Sequence, residues 1–224
     1  MENIVQKNLT STLLRSALLL ATLVWGISGG EASATEVCAS AGVPSGYVVT
    51  TIITSSRSCG NATGYVIETP RDNLAMCAVT GMPNGFVAYE VATSAYLCAN
   101  GPSYRIQTAR ENLVMCSVSS IPSGFVADEI RTPYVCSGSL GYRLKAPRDF
   151  LRMCAVGPVP NGFVVDEMGN SYVCSNGRSY RLRTPYNGIT MCAVSAIPSG
   201  YTVMSSISSS YVCMNGPAYQ LRKL

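Results

Sequence analysis

Ten cysteines are the residues of this chain best placed to do chemistry, and their spacing says which chemistry that is. They stand at positions 38, 59, 77, 98, 116, 136, 154, 174, 192 and 213, never closer than 18 residues apart. Zinc sites draw on closely paired cysteines or on histidine, and the chain contains no histidine. An even number of widely spaced cysteines behind an export signal points instead to disulfides. Two pairings fit the spacing. One joins Cys38–Cys59, Cys77–Cys98, Cys116–Cys136, Cys154–Cys174 and Cys192–Cys213 and leaves nothing over. The other uses the constant 18-residue gap and leaves Cys38 and Cys213 to close a ring. The series opens on a first cysteine of a pair and closes on a second, so pairing within units is the expectation.

Charged side chains recur as well. Glu90, Glu129 and Glu167 each lie four residues after an aromatic, and Arg105, Arg143 and Arg181 each follow a tyrosine. The corresponding positions before and after these three units hold Thr51 and Val66, then Ser205 and Gln220. Acid and arginine come and go together, which predicts that they face one another as register-setting pairs; a charged binding stripe is the functional alternative. Catalysis has little to work with. Without histidine no ordinary Ser-His-Asp or Cys-His arrangement is possible, and the adjacent carboxylates Asp128-Glu129 and Asp166-Glu167 should point to opposite faces of a strand. Neither an enzyme, a metal site nor a cofactor is expected.

Tyrosine dominates the aromatics, with 13 residues against 4 Phe and 1 Trp. One series is Tyr65, Tyr104, Tyr142, Tyr180 and Tyr219; another is Tyr96, Tyr134, Tyr172 and Tyr211. Their places beside Val and Cys read first as core filling around the disulfides. A second reading makes Tyr104, Tyr142 and Tyr180 repeated glycan contacts, individually weak and jointly strong.

The elements that must position these groups are repeats. Alternating cysteine gaps define a unit of 38 or 39 residues, present five times. Residues 35–76, 77–115, 116–153, 154–191 and 192–224 form repeats 1 to 5, behind a signal peptide over residues 1–34. Each unit opens with Pro, Ser or Asn, then Gly, as in Pro160-Asn161-Gly162, a β-turn signature with proline at the first central position. Strand patterns follow at Phe163-Val164-Val165-Asp166-Glu167, at Tyr172-Val173-Cys174 and at Tyr180-Arg181-Leu182-Arg183, the last pair separated by an Asn176-Gly177 hairpin. A short first strand around the leading cysteine is allowed. Thr69-Pro70-Arg71-Asp72 and its equivalents read as a helix N-terminus of a single turn.

One such unit is too small to bury an adequate core, since chains below about 40 residues need disulfides or neighbours. No linker separates the units; Met76, Met115, Met153 and Met191 run directly into cysteines. The expected fold is therefore all-β, five tandem disulfide-stapled β-repeats packed as an open array. A five-bladed β-propeller is the alternative. The apolar run around Leu18–Trp25 and the exit Ala32-Ser33-Ala34 mark an exported chain. Cleavage there would remove two basic and two acidic residues and leave the net charge at +4. With no Lys/Arg run, nucleic acid is not an expected partner, nor is a transmembrane segment expected in the mature chain. The expectation is a secreted, periplasmic or cell-surface structural or interaction protein whose partner is an extracellular protein or a glycan. A multivalent lectin-like binder is the alternative, and a small secreted enzyme or hydrolase inhibitor ranks last.

Overall fold

In the computed structural model residues 34–224 are described; all but the last residue of the expected signal peptide lies outside them. Five three-stranded antiparallel sheets follow one another along the chain. The first holds β1 (Thr35–Cys38), β2 (Val48–Ser56) and β3 (Ala62–Glu68), and the second β4 (Ala75–Cys77), β5 (Phe86–Ser94) and β6 (Gly101–Thr108). The third holds β7 (Val114–Cys116), β8 (Val126–Arg131) and β9 (Gly141–Lys145), and the fourth β10 (Arg152–Cys154), β11 (Val164–Asn170) and β12 (Arg178–Arg183). The fifth is β13 (Thr190–Cys192), β14 (Tyr201–Ser210) and β15 (Gly216–Lys223). In every sheet the last strand in sequence lies in the middle. The allowed short first strand is real and begins two or three residues before its cysteine, so Met76, Met115, Met153 and Met191 belong to the sheet that follows them.

The cysteines join within units: Cys38–Cys59, Cys77–Cys98, Cys116–Cys136, Cys154–Cys174 and Cys192–Cys213. Each bridge runs from the leading strand, over the central strand, to the turn that enters it. The position paired with the leading cysteine is small in every unit: Gly64, Ser103, Gly141, Ser179 or Ala218.

Three local expectations are corrected. Tyr172-Val173-Cys174 is a 3₁₀ turn, as are Tyr134–Cys136 and Tyr211–Cys213, because the chain must lift out of the sheet to bring its cysteine over the central strand. The hairpin behind it is tight: Ser175 and Asn176 take left-handed conformations (φ 54° and 60°) and Gly177 N–H donates to Cys174 C=O. The Thr-Pro-Arg-Asp segment makes no helix. Its backbone closes as a β-turn, Leu74 N–H donating to Arg71 C=O with Asn73 left-handed, and the same turn recurs at Leu113, Leu151 and Ile189. In the Pro-x-Gly turns proline stands first instead of second, its carbonyl accepting from the aromatic three residues on, while glycine at φ 80–87° supplies the positive angle.

The units pack through a pair of small apolar residues at the start of the second strand: Val48-Val49, Val87-Ala88, Val126-Ala127 and Val164-Val165, all buried. Successive strand residues face opposite ways, so each pair straddles the leading strand of the next unit. Val164 meets Ile189, Met191 and Leu221, while Val165 meets Cys192, Cys213 and Ala218. Val126 likewise meets Met153 and Leu182. Strand β2 lies beside β4, β5 beside β7, β8 beside β10 and β11 beside β13. The array stays open; it closes into neither a propeller nor a barrel. In the fifth unit the pair is Thr202-Val203, half-buried, and Met204 to Ser209 are exposed.

The space over the central strand is tightly rationed. A Cβ added at Gly141 would lie 2.7 Å from Pro133 Cγ and 2.8 Å from Cδ. In the other units Ser56, Ala95, Ser171 or Ser210 occupies the place of Pro133. We therefore expect Gly141→Ala to destabilise the oxidised protein by about 1–3 kcal/mol. Adding Pro133→Ser should recover most of that loss, as read by thermal denaturation.

Candidate functional site

The second strand of every unit carries a β-bulge directly after its apolar pair, at Thr50, Tyr89, Asp128, Asp166 and Met204. A bulge sets two residues against one on the partner strand. Glu90, Glu129 and Glu167 are thereby the cross-strand partners of Arg105, Arg143 and Arg181. Their closest N···O distances are 3.3, 2.7 and 2.5 Å. The bulge also overturns the expectation that neighbouring acids diverge. Asp128 accepts from Arg143 Nε and Nη2 at 2.8 and 2.9 Å, and Asp166 accepts from Arg181 at 2.8 and 3.1 Å. One arginine thus lies between two adjacent carboxylates in the third and fourth units.

Two further arginines complete the network, Arg131 on Glu129 and Arg152 on Glu167. Hydrogen bonds from Arg131 and Arg152 hold the Glu129 and Glu167 carboxyls below the ordinary carboxylate range, with Arg143 and Arg181 adding to the effect. Charge here is spent on neighbouring charge, which favours a register-setting role over a stripe offered to a ligand. A charge swap should separate the two kinds of pair. Glu90→Arg with Arg105→Glu should restore the stability lost in either single variant, a matter of about 0.2–1 kcal/mol for an exposed pair. Glu129→Arg with Arg143→Glu should not restore it, because the carboxylate introduced on β9 would face that of Asp128; urea denaturation of the four variants checks this.

The acids first read as helix caps have another task. Asp72 accepts from both the N–H and the hydroxyl of Thr108 at 2.7 Å, 36 residues away. Glu111 accepts from Ala146 N–H, Asp149 from Thr184 N–H, and Asn187 from Lys223 N–H. Each therefore ties the turn that enters a sheet to the far end of that sheet's central strand. The backbone hydrogen bonds of Thr108 and Thr184, with their hydroxyls, hold Asp72 and Asp149 below the usual carboxylate range. A depressed folded pKa contributes stability that is present above the unfolded value and disappears as pH falls through the folded one. The melting temperature is expected to stay level above about pH 5 and to drop below about pH 4. Calorimetry with the disulfides intact should also find that drop shallower in an Asp72→Asn, Asp149→Asn variant.

The tyrosines divide into two series of opposite character. Tyr104, Tyr142, Tyr180 and Tyr219 are half-buried and pack against the clusters between units. The core reading describes them; as glycan contacts they offer little free ring. Tyr96, Tyr134, Tyr172 and Tyr211 do not fill the core. They are 94, 99, 85 and 91 % exposed, each two residues before a buried cysteine. Arg57 takes this place in the first unit. The turn before the cysteine, 3₁₀ at Tyr134, Tyr172 and Tyr211, explains the divergence: it sends the cysteine inward and the tyrosine out.

One exposed aromatic stands apart. Phe150 is 65 % exposed and left-handed (φ 63°), where the equivalent turns have Asn73, Asn112 and Gly188. A bulky residue there is strained. The Arg183 guanidinium stacks 3.9 Å from its ring centroid and 5.7 Å from that of Tyr186. Arg183 lies 3.7 Å from Asp166 and its charge also reaches Asp149, so the cation is balanced from two sides. A groove of about 460 Å³ between the third and fourth units is lined by Pro122, Phe125, Pro147, Pro158 and Val159 among others, with no titratable side chain. Among the described residues no cluster of three potential metal ligands occurs.

Comparison with protein-family models, curated proteins and solved structures found no match. The five disulfides fit an extracellular or otherwise oxidising compartment, and among the described residues no helix is long and apolar enough to cross a membrane.

Proposed function

We propose that this chain is a non-catalytic interaction protein of the extracellular space or cell envelope, which binds its partner through the tyrosine ladder Tyr96, Tyr134, Tyr172 and Tyr211. One observation carries the reading. Four repeats place the same large aromatic at the same almost fully exposed position, where it adds nothing to the core. The residue just before it varies freely, being Ala95, Pro133, Ser171 and Ser210. Recurrence without a packing role calls for a role outside the fold, and exposed tyrosines on a rigid support are favoured binding residues. The support is rigid because each ring is anchored by a disulfide and followed by a tight hairpin.

A lectin-like reading uses the same face. Serine, threonine or asparagine flanks the ladder at Ser94, Thr132, Asn170, Ser171, Ser209 and Ser210, supplying hydroxyl and amide groups beside each ring. Tyr104, Tyr142 and Tyr180, first expected to carry glycan contacts, give way to the exposed series.

The test compares the oxidised protein, fluorescently labelled, with its Tyr96→Ser, Tyr134→Ser, Tyr172→Ser, Tyr211→Ser variant. Binding to cells and matrix of the source organism is expected to fall at least roughly tenfold, since avidity collapses when the sites are lost together. The melting temperature should move by no more than about 2 °C, as befits exposed positions. Equal binding by the two proteins would remove the ladder from consideration.

A further inference from the structure

The surroundings of the ladder narrow the ligand. None of the four rings has walls: with exposures between 85 and 99 %, each offers a platform and not a pocket. Sites for single small molecules enclose 70–90 % of their ligand or more, so one sugar resting on one of these rings would be held feebly. The platforms recur once per unit along a continuous array. A ligand that engages more than one of them must itself continue from unit to unit. A linear polymer does so by construction, whereas a globular partner offers a single patch without that repeat.

Charge narrows the class again. No Asp, Glu, Lys or Arg lies within two positions of Tyr96, Tyr134, Tyr172 or Tyr211. The recurring arginines of the adjoining strands are engaged with carboxylates, Arg105 with Glu90, Arg143 with Asp128 and Glu129, Arg181 with Asp166 and Glu167; the exposed Arg178, opposite Asn170, belongs to the fourth unit alone. An anionic polymer would find no repeated cation at the rings. An uncharged one finds an aromatic face for its C–H surface and hydroxyl or amide groups for its hydroxyls. Beside three of the rings Leu97, Val135 and Val212 remain 42, 46 and 43 % exposed, which widens the apolar platform.

We propose that the ladder binds a neutral, linear polysaccharide, several sugars at a time, with one tyrosine per unit as a stacking platform. This rests on the reading of the ladder as the binding face. The assignment is of class only, an uncharged chain of sugars with accessible C–H faces.

Native electrophoresis of the full oxidised protein through gels cast with hydroxyethylcellulose, laminarin or glucomannan tests it. At least one of these neutral polymers should retard the protein, and the fourfold Tyr→Ser variant should migrate as in a plain gel. Restoring the tyrosines one at a time should restore retardation stepwise. Tetrasaccharides of the retarding polymer should compete at least roughly 100-fold more weakly than the polymer, which is the mark of avidity. Retardation retained in the fourfold variant, or absent from all three gels, would overturn the proposal. If the gels show nothing while cell binding is still lost in the fourfold variant, the binding face stands and its ligand is of another class. If cell binding is unchanged as well, both readings fall.

Discussion

Everything in this fold depends on how a disulfide is accommodated above a β-strand. Opposite each leading cysteine the central strand holds a small residue, Gly64, Ser103, Gly141, Ser179 or Ala218, and at Gly141 the space a larger one would need is taken by Pro133. The same bridge presents an apolar surface too small to shield itself. In the second to fifth units it is covered by the valine or alanine that ends the preceding unit's apolar pair, and Cys77, Cys116, Cys154 and Cys192 are completely buried. In the first unit Cys38 and Cys59 are only half-buried, with Glu36, Ser56 and Ser58 forming a polar cluster beside them. The covalent clasp and the packing between units are therefore one device: the staple that closes one sheet is also the floor on which its neighbour stands.

The bulge is what lets a single strand serve both purposes. Before it, two apolar residues straddle the neighbouring leading strand; after it, acids meet the arginines of their own sheet. A regular pleat would have placed Asp128 and Glu129 on opposite sides. The extra residue brings both to Arg143, and the same happens around Arg181. Polar ties between entry turn and central strand then hold the path of the chain from sheet to sheet, with Asp72, Glu111, Asp149 and Asn187 in one recurring place.

Much of this architecture was legible in the residues themselves. Cysteine spacing announced the units, and the joint appearance of Glu129 with Arg143 announced a cross-strand pair. Local readings failed where a residue type has more than one use. Threonine, proline and an acid resemble a helix cap whether the acid bonds the next turn or a strand 36 residues on, and only the fold tells the two apart. Tyr172 and Tyr180 each follow a serine, yet one is exposed and the other packed, because Tyr172 enters a 3₁₀ turn that buries Cys174 while Tyr180 lies in the central strand. Spacing alone hid this, since residues two apart share a face in a strand and part only when the chain turns. Phe150 could also have been noticed as the one bulky residue in a series otherwise made of asparagine and glycine.

The junctions between units share a direction as well as a design. Each unit lends its apolar pair forward and receives cover for its clasp from behind, so the two ends of any run of units are chemically different. Losing the first unit would strip the roof from Cys77–Cys98; losing the fifth would uncover no bridge and would bare apolar side chains of the fourth unit, Val164, Val165 and Met168 among them. Such an array tolerates trimming from one side only. By the same token it can be lengthened by copying a whole unit, because a duplicated repeat arrives already carrying both halves of the joint.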